Sequence, residues 1–310
     1  MASAEQISFQ DRARSLAERA QSMAPEELLF RYRGQLYPSL LSSEQTLARL
    51  GTFQARTDDL LLSVYPKCGF NWVFQLVKNI VNVNEKESGE EKHESKTHFP
   101  LLEFGGPEKF EEMKKLPSPR VYGTHEHYEN IPKSIIEQKT KILVVLRNPK
   151  DTAVSYFHFC QNNPLLPTFP SWDEFYKKYM TGEVPWGSYF DHALLWNKHI
   201  DDENVMVITF EELKENLIEG VKKVAKHFGY SLNEEQVQKV SSKADFKVMS
   251  ENSQKTHGNL GKIFFRKGVV GDWKNLFTDK QSEEMDAKFE ECLAGTKLGA
   301  ELKYNIYCKD

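Results

Sequence analysis

Apolar positions along this chain fall into a few short, dense runs set between longer stretches of mixed charge. Leu60-Leu61-Leu62-Ser63-Val64 and Lys141-Ile142-Leu143-Val144-Val145-Leu146 are continuous rather than alternating, the pattern of strands buried on both faces. Val205-Met206-Val207-Ile208-Thr209-Phe210 reads the same way, and Arg120-Val121-Tyr122-Gly123-Thr124 is a shorter candidate. Behind the first run, Val73-Phe74-Gln75-Leu76-Val77-Lys78-Asn79-Ile80 repeats its apolar residues at helical spacing. After Leu146, Asn148 suits an N-cap, Pro149 the first helical position and Asp151 a capping-box-like partner. After Phe210 a helix is expected over Glu211 to Phe228, acids first, lysines later, with Gly229 as its stop. Strands alternating with helices predict an α/β protein, a single domain over residues 1–310 with a central, mainly parallel sheet flanked by helices.

Toward the edges of the pattern the signal weakens. Residues 8 to 24 predict a peripheral helix within an N-terminal extension over 1–29. The segment from Asn84 to His98 is highly charged and nearly free of large apolar side chains, so a mobile surface loop is expected there.

Charge and cysteine usage narrow the partners. A net charge of −4 over 310 residues argues against a general nucleic-acid binder, so any basic site must be local to a pocket. Cys68, Cys160, Cys292 and Cys308 are scattered and show no Cys-x-x-Cys pair, which suits a reducing compartment better than a disulfide framework or a zinc site. The N-terminus lacks the basic and apolar regions of a signal peptide. No apolar run approaches the ~20 residues that span a bilayer. A cytosolic protein without membrane or nucleic-acid partners is expected.

In a parallel sheet of this kind, ligands bind beyond the carboxyl ends of the strands. Lys67, His125, Arg147 and Phe210 all fall at or just past such ends. Tyr65-Pro66-Lys67-Cys68-Gly69-Phe70-Asn71-Trp72 joins a strand to a helix through a glycine-containing turn, a P-loop-like arrangement in which amides and a lysine converge on an anion. It is not a Walker A loop, since the lysine precedes the glycine. Arg147 and Ser155 flank the first turns of the next helix, either as a second phosphate site or as a surface arginine beside a cap. Arg266-Lys267-Gly268 is a phosphate clamp or an ordinary basic turn. His125 ends its strand as either a general base or a structural histidine, and the pair it forms with His127 lacks a third metal ligand. Cys68, beside Lys67 and at a helix N-terminus, is either a reactive thiolate or a side chain turned into the core.

Taken together, these segments resemble the signatures of the cytosolic sulfotransferases. The Tyr65–Trp72 loop, Thr124-His125, the run Arg147-Asn148-Pro149-Lys150-Asp151-Thr152-Ala153-Val154-Ser155, and Arg266-Lys267-Gly268 with Gly271-Asp272-Trp273-Lys274 stand in the family's order and spacing. The resemblance covers nearly the whole chain from about Phe30, and the Cys-Gly-Phe-Asn loop is closest to the 6B-type members. It implies the donor 3′-phosphoadenylyl sulfate (PAPS), the product adenosine 3′,5′-bisphosphate, no metal, and a small hydrophobic phenol or alcohol as acceptor, with iodothyronine-like phenols as one candidate. It further implies that Lys67, Cys68, Gly69, Phe70, Asn71 and Trp72 wrap the 5′-phosphosulfate, with Trp72 also on the adenine. Arg147, Ser155, Arg266, Lys267 and Gly268 are expected to hold the 3′-phosphate. Phe246 is expected across the adenine with Met249 nearby, His125 as the base, and Phe159 as an acceptor-pocket wall.

Several positions depart from the family pattern. Gly123 stands where a lysine is usual, Phe210 for a tyrosine near the adenine, Ala244 for a threonine, and Phe70 and Asn71 for two loop hydroxyls. Gly123, Phe210 and Ala244 motivate an alternative, a sulfotransferase-like protein that binds nucleotide or ligand with little turnover. A nucleoside phosphotransferase fits less well, because the Gly-Lys-Ser/Thr arrangement is missing. Lys274 to Glu283 is similar to the family's pairing segment, but Asp279 replaces its usual valine, so a monomer or weak homodimer is expected.

Overall fold

The computed structural model of the chain describes residues 9–88 and 100–309. After a helix over Phe9–Gln21 comes a hairpin, β1 Leu29–Tyr32 against β2 Gln35–Pro38, turned through Arg33 and Gly34, both at positive φ. Nothing in the periodicity marks this pair. The central sheet follows, formed by β3 Leu60–Val64, β4 Val121–Thr124, β5 Lys141–Leu146 and β6 Val205–Thr209. Its order is β4-β3-β5-β6, and every pairing is parallel. The two most apolar runs occupy the centre, where β3 is buried throughout and β5 along all but its first residue.

Local chemistry sets the helix starts. Asn148 caps the Pro149–Asn162 helix by accepting the Asp151 N–H, with Pro149 at the first position. The helix expected over Glu211 to Phe228 is two helices, Phe210–Glu215 and Leu217–Phe228. Asn216 ends one and caps the other, its side chain accepting the Glu219 N–H, a local bond that competes with helix continuation. Gly229 then stops the second helix at φ +85°, as its position implies. The Phe70–Ser88 helix runs further than expected, taking in 84–88 from the segment read as loop, while 89–98 lie outside the described residues.

One large core lies around the sheet, and a small satellite cluster sits apart from it. The satellite holds Ala20 of the Phe9–Gln21 helix against Leu28, Leu40 and Leu165. Among the described residues no helix is long and apolar enough to cross a membrane.

Candidate active site

The turn after β3 is built from two left-handed residues, Lys67 at φ +70° and Gly69 at φ +108°. A left-handed backbone is uncommon for lysine, and here it turns the side chain into the cleft. The amides of the first turn of the following helix have no intrahelical acceptors, and the positive end of a 19-residue helix points the same way. The Lys67 ammonium lies 4.0 Å from the centre of the Phe159 ring. Burial, together with the charges of Arg147 and Arg266, draws its pKa down to about 7.

Of the two alternatives for Cys68, the structure has the side chain turned into the core. It is fully buried, its Sγ lies 3.6 Å from Thr152 Oγ1, and its N–H donates to the Tyr65 carbonyl at 3.1 Å. Burial pushes the thiol up to about 12. The hydrogen bond to Thr152 and the charge of Arg147 favour the thiolate, but water does not reach the side chain, so desolvation outweighs them.

At the end of β4, His125 Nδ1–H donates to the Val64 carbonyl at 2.6 Å. A carbonyl only accepts, so the proton sits on Nδ1 and Nε2 is left as the acceptor. The backbone N–H of His125 donates to Glu103 Oε1 at 2.8 Å, and Thr124 Oγ1 donates to Glu103 Oε2 at 2.9 Å. Burial, with Lys67 nearby, lowers the imidazole to about 4 despite its bond to Val64. Glu103 itself is fully buried, and burial raises its carboxyl. Lys109 holds the turn beside it by donating to the carbonyls of Leu101 and Phe104. Glu103 is not among the residues singled out from the sequence; its one signal there is a lone acid directly after the apolar run Pro100-Leu101-Leu102.

A second cationic group comes from β5 and from the segment near residue 266. Arg147 Nη2 donates to the Val269 carbonyl at 2.8 Å, while Arg147 Nε is buried with no partner among the described residues. Arg266 and Lys267 both bind Asp272, at 2.6 and 2.7 Å. Against the cost of burial, those two hydrogen bonds hold the Asp272 carboxyl down to about 2. The Gly271 and Trp273 amides donate to the Asp151 carboxylate at 2.8 and 2.9 Å. Asp151 therefore ties this segment to the helix after Arg147 in place of the capping-box bond expected of it, since the Asn148 backbone N–H donates to Glu211 Oε1 at 3.0 Å instead.

Aromatic rings occupy the space between these groups. Trp72 meets Phe210 and Phe246 edge-on at 5.1 and 5.9 Å, and Arg147 lies over the Phe210 ring at 4.5 Å. The Trp72 indole N–H donates to the Ala244 carbonyl at 2.6 Å, so Ala244 contributes its backbone, and its missing hydroxyl is not part of that contact. Of the residues singled out in the sequence, Lys67, Gly69, Phe70, Asn71, Trp72, His125, Arg147, Ser155, Phe159, Phe210, Phe246, Met249, Arg266, Lys267 and Gly268 line one cavity of about 1050 Å³. Cys68 and Ala244 lie in the core behind it. Phe104, Trp186, Ala13 and Leu16 also line it, the last two from the helix read as peripheral. Among the described residues no group of three or more His, Cys, Asp or Glu has the geometry of a metal site.

Along most of its length the chain is similar to known proteins. Residues 57–297 match the sulfotransferase domain family. The chain is 47% identical over 305 residues to Sulfotransferase 6B1 of Mus musculus, covering 98% of this chain and 99% of that one. It is 51% identical over 296 residues to Sulfotransferase 6B1 of Danio rerio, with 96% and 99% covered. A crystal structure of mouse sulfotransferase SULT7A1 complexed with PAP superposes with a TM-score of 0.81 at 35% identity, covering 91% of this chain and 99% of the other.

Proposed function

The chain belongs to the sulfotransferase family, and from that membership we propose that it moves sulfonate from PAPS to the hydroxyl of a small hydrophobic phenol or alcohol, with His125 as general base and Lys67 at the leaving group. The observation that carries this reading is the shared cavity. An acceptor-type imidazole nitrogen and a lysine on a phosphate-type turn open into the same space.

The residues present fit the donor. Lys67 and the first-turn amides suit a phosphosulfate, and Arg147 with Arg266 and Lys267 suits a further phosphate. The unpartnered Arg147 Nε is one donor such a phosphate would satisfy. Bound there, PAPS supplies the sulfuryl group and a phosphate leaving group. Lys67 meets the charge that grows on the leaving oxygen, a contact stronger in the transition state than before it. His125 Nε2 takes the acceptor proton, a contribution on the order of 10²–10⁴ in rate. Negative charge from the donor also raises His125, since Lys67 no longer presents an unbalanced charge to it.

Iodothyronine-like phenols remain one acceptor candidate, because the walls around His125 are aromatic. The four cysteines are unpaired, which supports a reducing, cytosolic setting. The test is transfer of labelled sulfonate from PAPS to a panel of phenols and alcohols, with ATP as control donor. Sulfated product is expected. Nucleotide binding without product would replace this reading with that of a ligand-binding relative, and ATP-dependent labelling with that of a phosphotransferase.

A further inference from the structure

Position 123 in β4 has no side chain, and the space one would fill is taken by Phe70. A Cβ placed on Gly123 lies 2.2 Å from Phe70 Cε2, 2.9 Å from Phe70 Cζ and 3.2 Å from the Leu62 carbonyl oxygen. Both polar groups of the Gly123 backbone are held by one neighbouring segment: its N–H donates to the Pro100 carbonyl and its carbonyl accepts from Leu102 N–H, each at 2.8 Å. Gly123 does not sit at positive φ, so glycine is needed here for room and not for a dihedral angle. With the Phe70 ring where it lies there is no room for a side chain at 123, so one placed there must displace the ring.

Seated in that hollow, the Phe70 ring stacks on Phe74 at 5.4 Å and meets the His125 imidazole edge-to-face at 5.7 Å. Trp186 and Phe104 stand against the same imidazole at 4.8 and 6.3 Å. An oxygen approaching His125 therefore passes between aromatic walls. We propose that Phe70 and Gly123 act as one specificity-determining unit, in which the ring held over Gly123 forms, with Phe104 and Trp186, a slot that selects a planar aryl alcohol over a puckered aliphatic one. The inference rests on the reading that His125 receives the acceptor hydroxyl. A flat ring keeps edge and offset contacts with all three walls, each a factor of roughly two to ten in affinity, and a puckered ring loses them.

The test is calorimetric binding of 2-naphthol and of 2-decalol, its saturated counterpart, to the protein saturated with adenosine 3′,5′-bisphosphate. The proteins are wild type, Phe70→Ser, Gly123→Ala and Phe70→Ser/Gly123→Ala. Wild type should prefer 2-naphthol by at least about tenfold, and Phe70→Ser should bring the two alcohols to within about twofold. Gly123→Ala alone should erode the preference and lower the melting temperature. Adding Phe70→Ser to it should restore the melting temperature toward that of Phe70→Ser, because the new methyl no longer meets a ring. Recovery of soluble protein in the double variant, where Gly123→Ala alone is insoluble, is the same result. A preference unmoved by Phe70→Ser, melting-temperature losses that simply add, or wild type binding neither alcohol would overturn the proposal. Binding is read without turnover. A wild type that shows the preference but transfers no sulfonate removes the catalytic reading and leaves the pair intact.

Discussion

The ring of His125 is tied to the backbone of Val64 by a 2.6 Å hydrogen bond from Nδ1, so the end of one strand fixes the tautomer of a residue on its neighbour. His125→Ala should therefore lower turnover by on the order of 10²–10⁴ while adenosine 3′,5′-bisphosphate binds as before. The group acts on the acceptor and not on the nucleotide. With the imidazole lowered to about 4 by burial, the base form persists well below neutral pH. The acid limb of kcat/KM should then fall below about pH 5 and not near an ordinary histidine value. A variant retaining more than about a tenth of wild-type turnover would show that another group is the base.

Lys67 carries a different pH signature. Free, it titrates at about 7; a bound phosphosulfate raises that value by supplying negative charge. Below about pH 7 it is already protonated and contributes fully to binding. Above that, binding must take up a proton, so affinity should weaken steadily from about pH 7 to 9. Calorimetry in buffers of different ionisation enthalpy reads the proton directly. A dissociation constant that is flat across this range, with no proton uptake, would place Lys67 away from the donor.

Arg147→Ala and Arg266→Ala each remove a charge-assisted contact worth ~1.5–3 kcal/mol. The loss should appear for adenosine 3′,5′-bisphosphate and be small for the 5′-monophosphate. Equal losses for both nucleotides would assign these arginines to another part of the ligand.

Buried against Thr152, Cys68 should resist alkylation with or without nucleotide, while the half-buried Cys292 reacts first. Mass spectrometry of labelled peptides checks this order. Nucleotide-dependent protection of a fast-reacting Cys68 would instead favour the reactive thiolate.

Asp279 is exposed at the first turn of the Asp279–Cys292 helix, with Thr278 as its cap. Two such carboxylates brought together across a two-fold interface repel, so a monomer or weak dimer is expected by sedimentation. A dimer stable at nanomolar concentration and broken by Lys274→Ala would contradict this. Lys274→Ala is the cleaner probe, since Thr278→Ala also removes a helix cap worth ~1 kcal/mol.

Much of the frame was legible because local rules decide it. The runs at 60–64 and 141–146 are strands at those boundaries, and Asn148 with Pro149 starts its helix. What was not legible depends on contacts between distant segments. The direction of the Cys68 thiol is set by packing against Thr152, and Glu103 acquires its place only when its segment runs beside β4. Gly123 is the clearest case. In the sequence it reads as a lost charge; in the fold it is the floor beneath a phenylalanine.

The grip of Asp151 on the Gly271 and Trp273 amides sets the spacing of the proposed nucleotide site. Arg147 precedes that helix and Arg266 precedes that segment, so the two arginines are fixed jaws of a gauge whose opening is set before any ligand arrives. Such a gauge is sized for a single phosphate. A nucleotide that places a phosphate between the jaws meets both with little reorganisation, whereas one that lacks it, or carries a bulkier group there, must leave both cations unmatched or break the Asp151 contacts. Rejection of mismatched cofactors then comes from the stiffness of the frame and needs no additional side chain in the cavity.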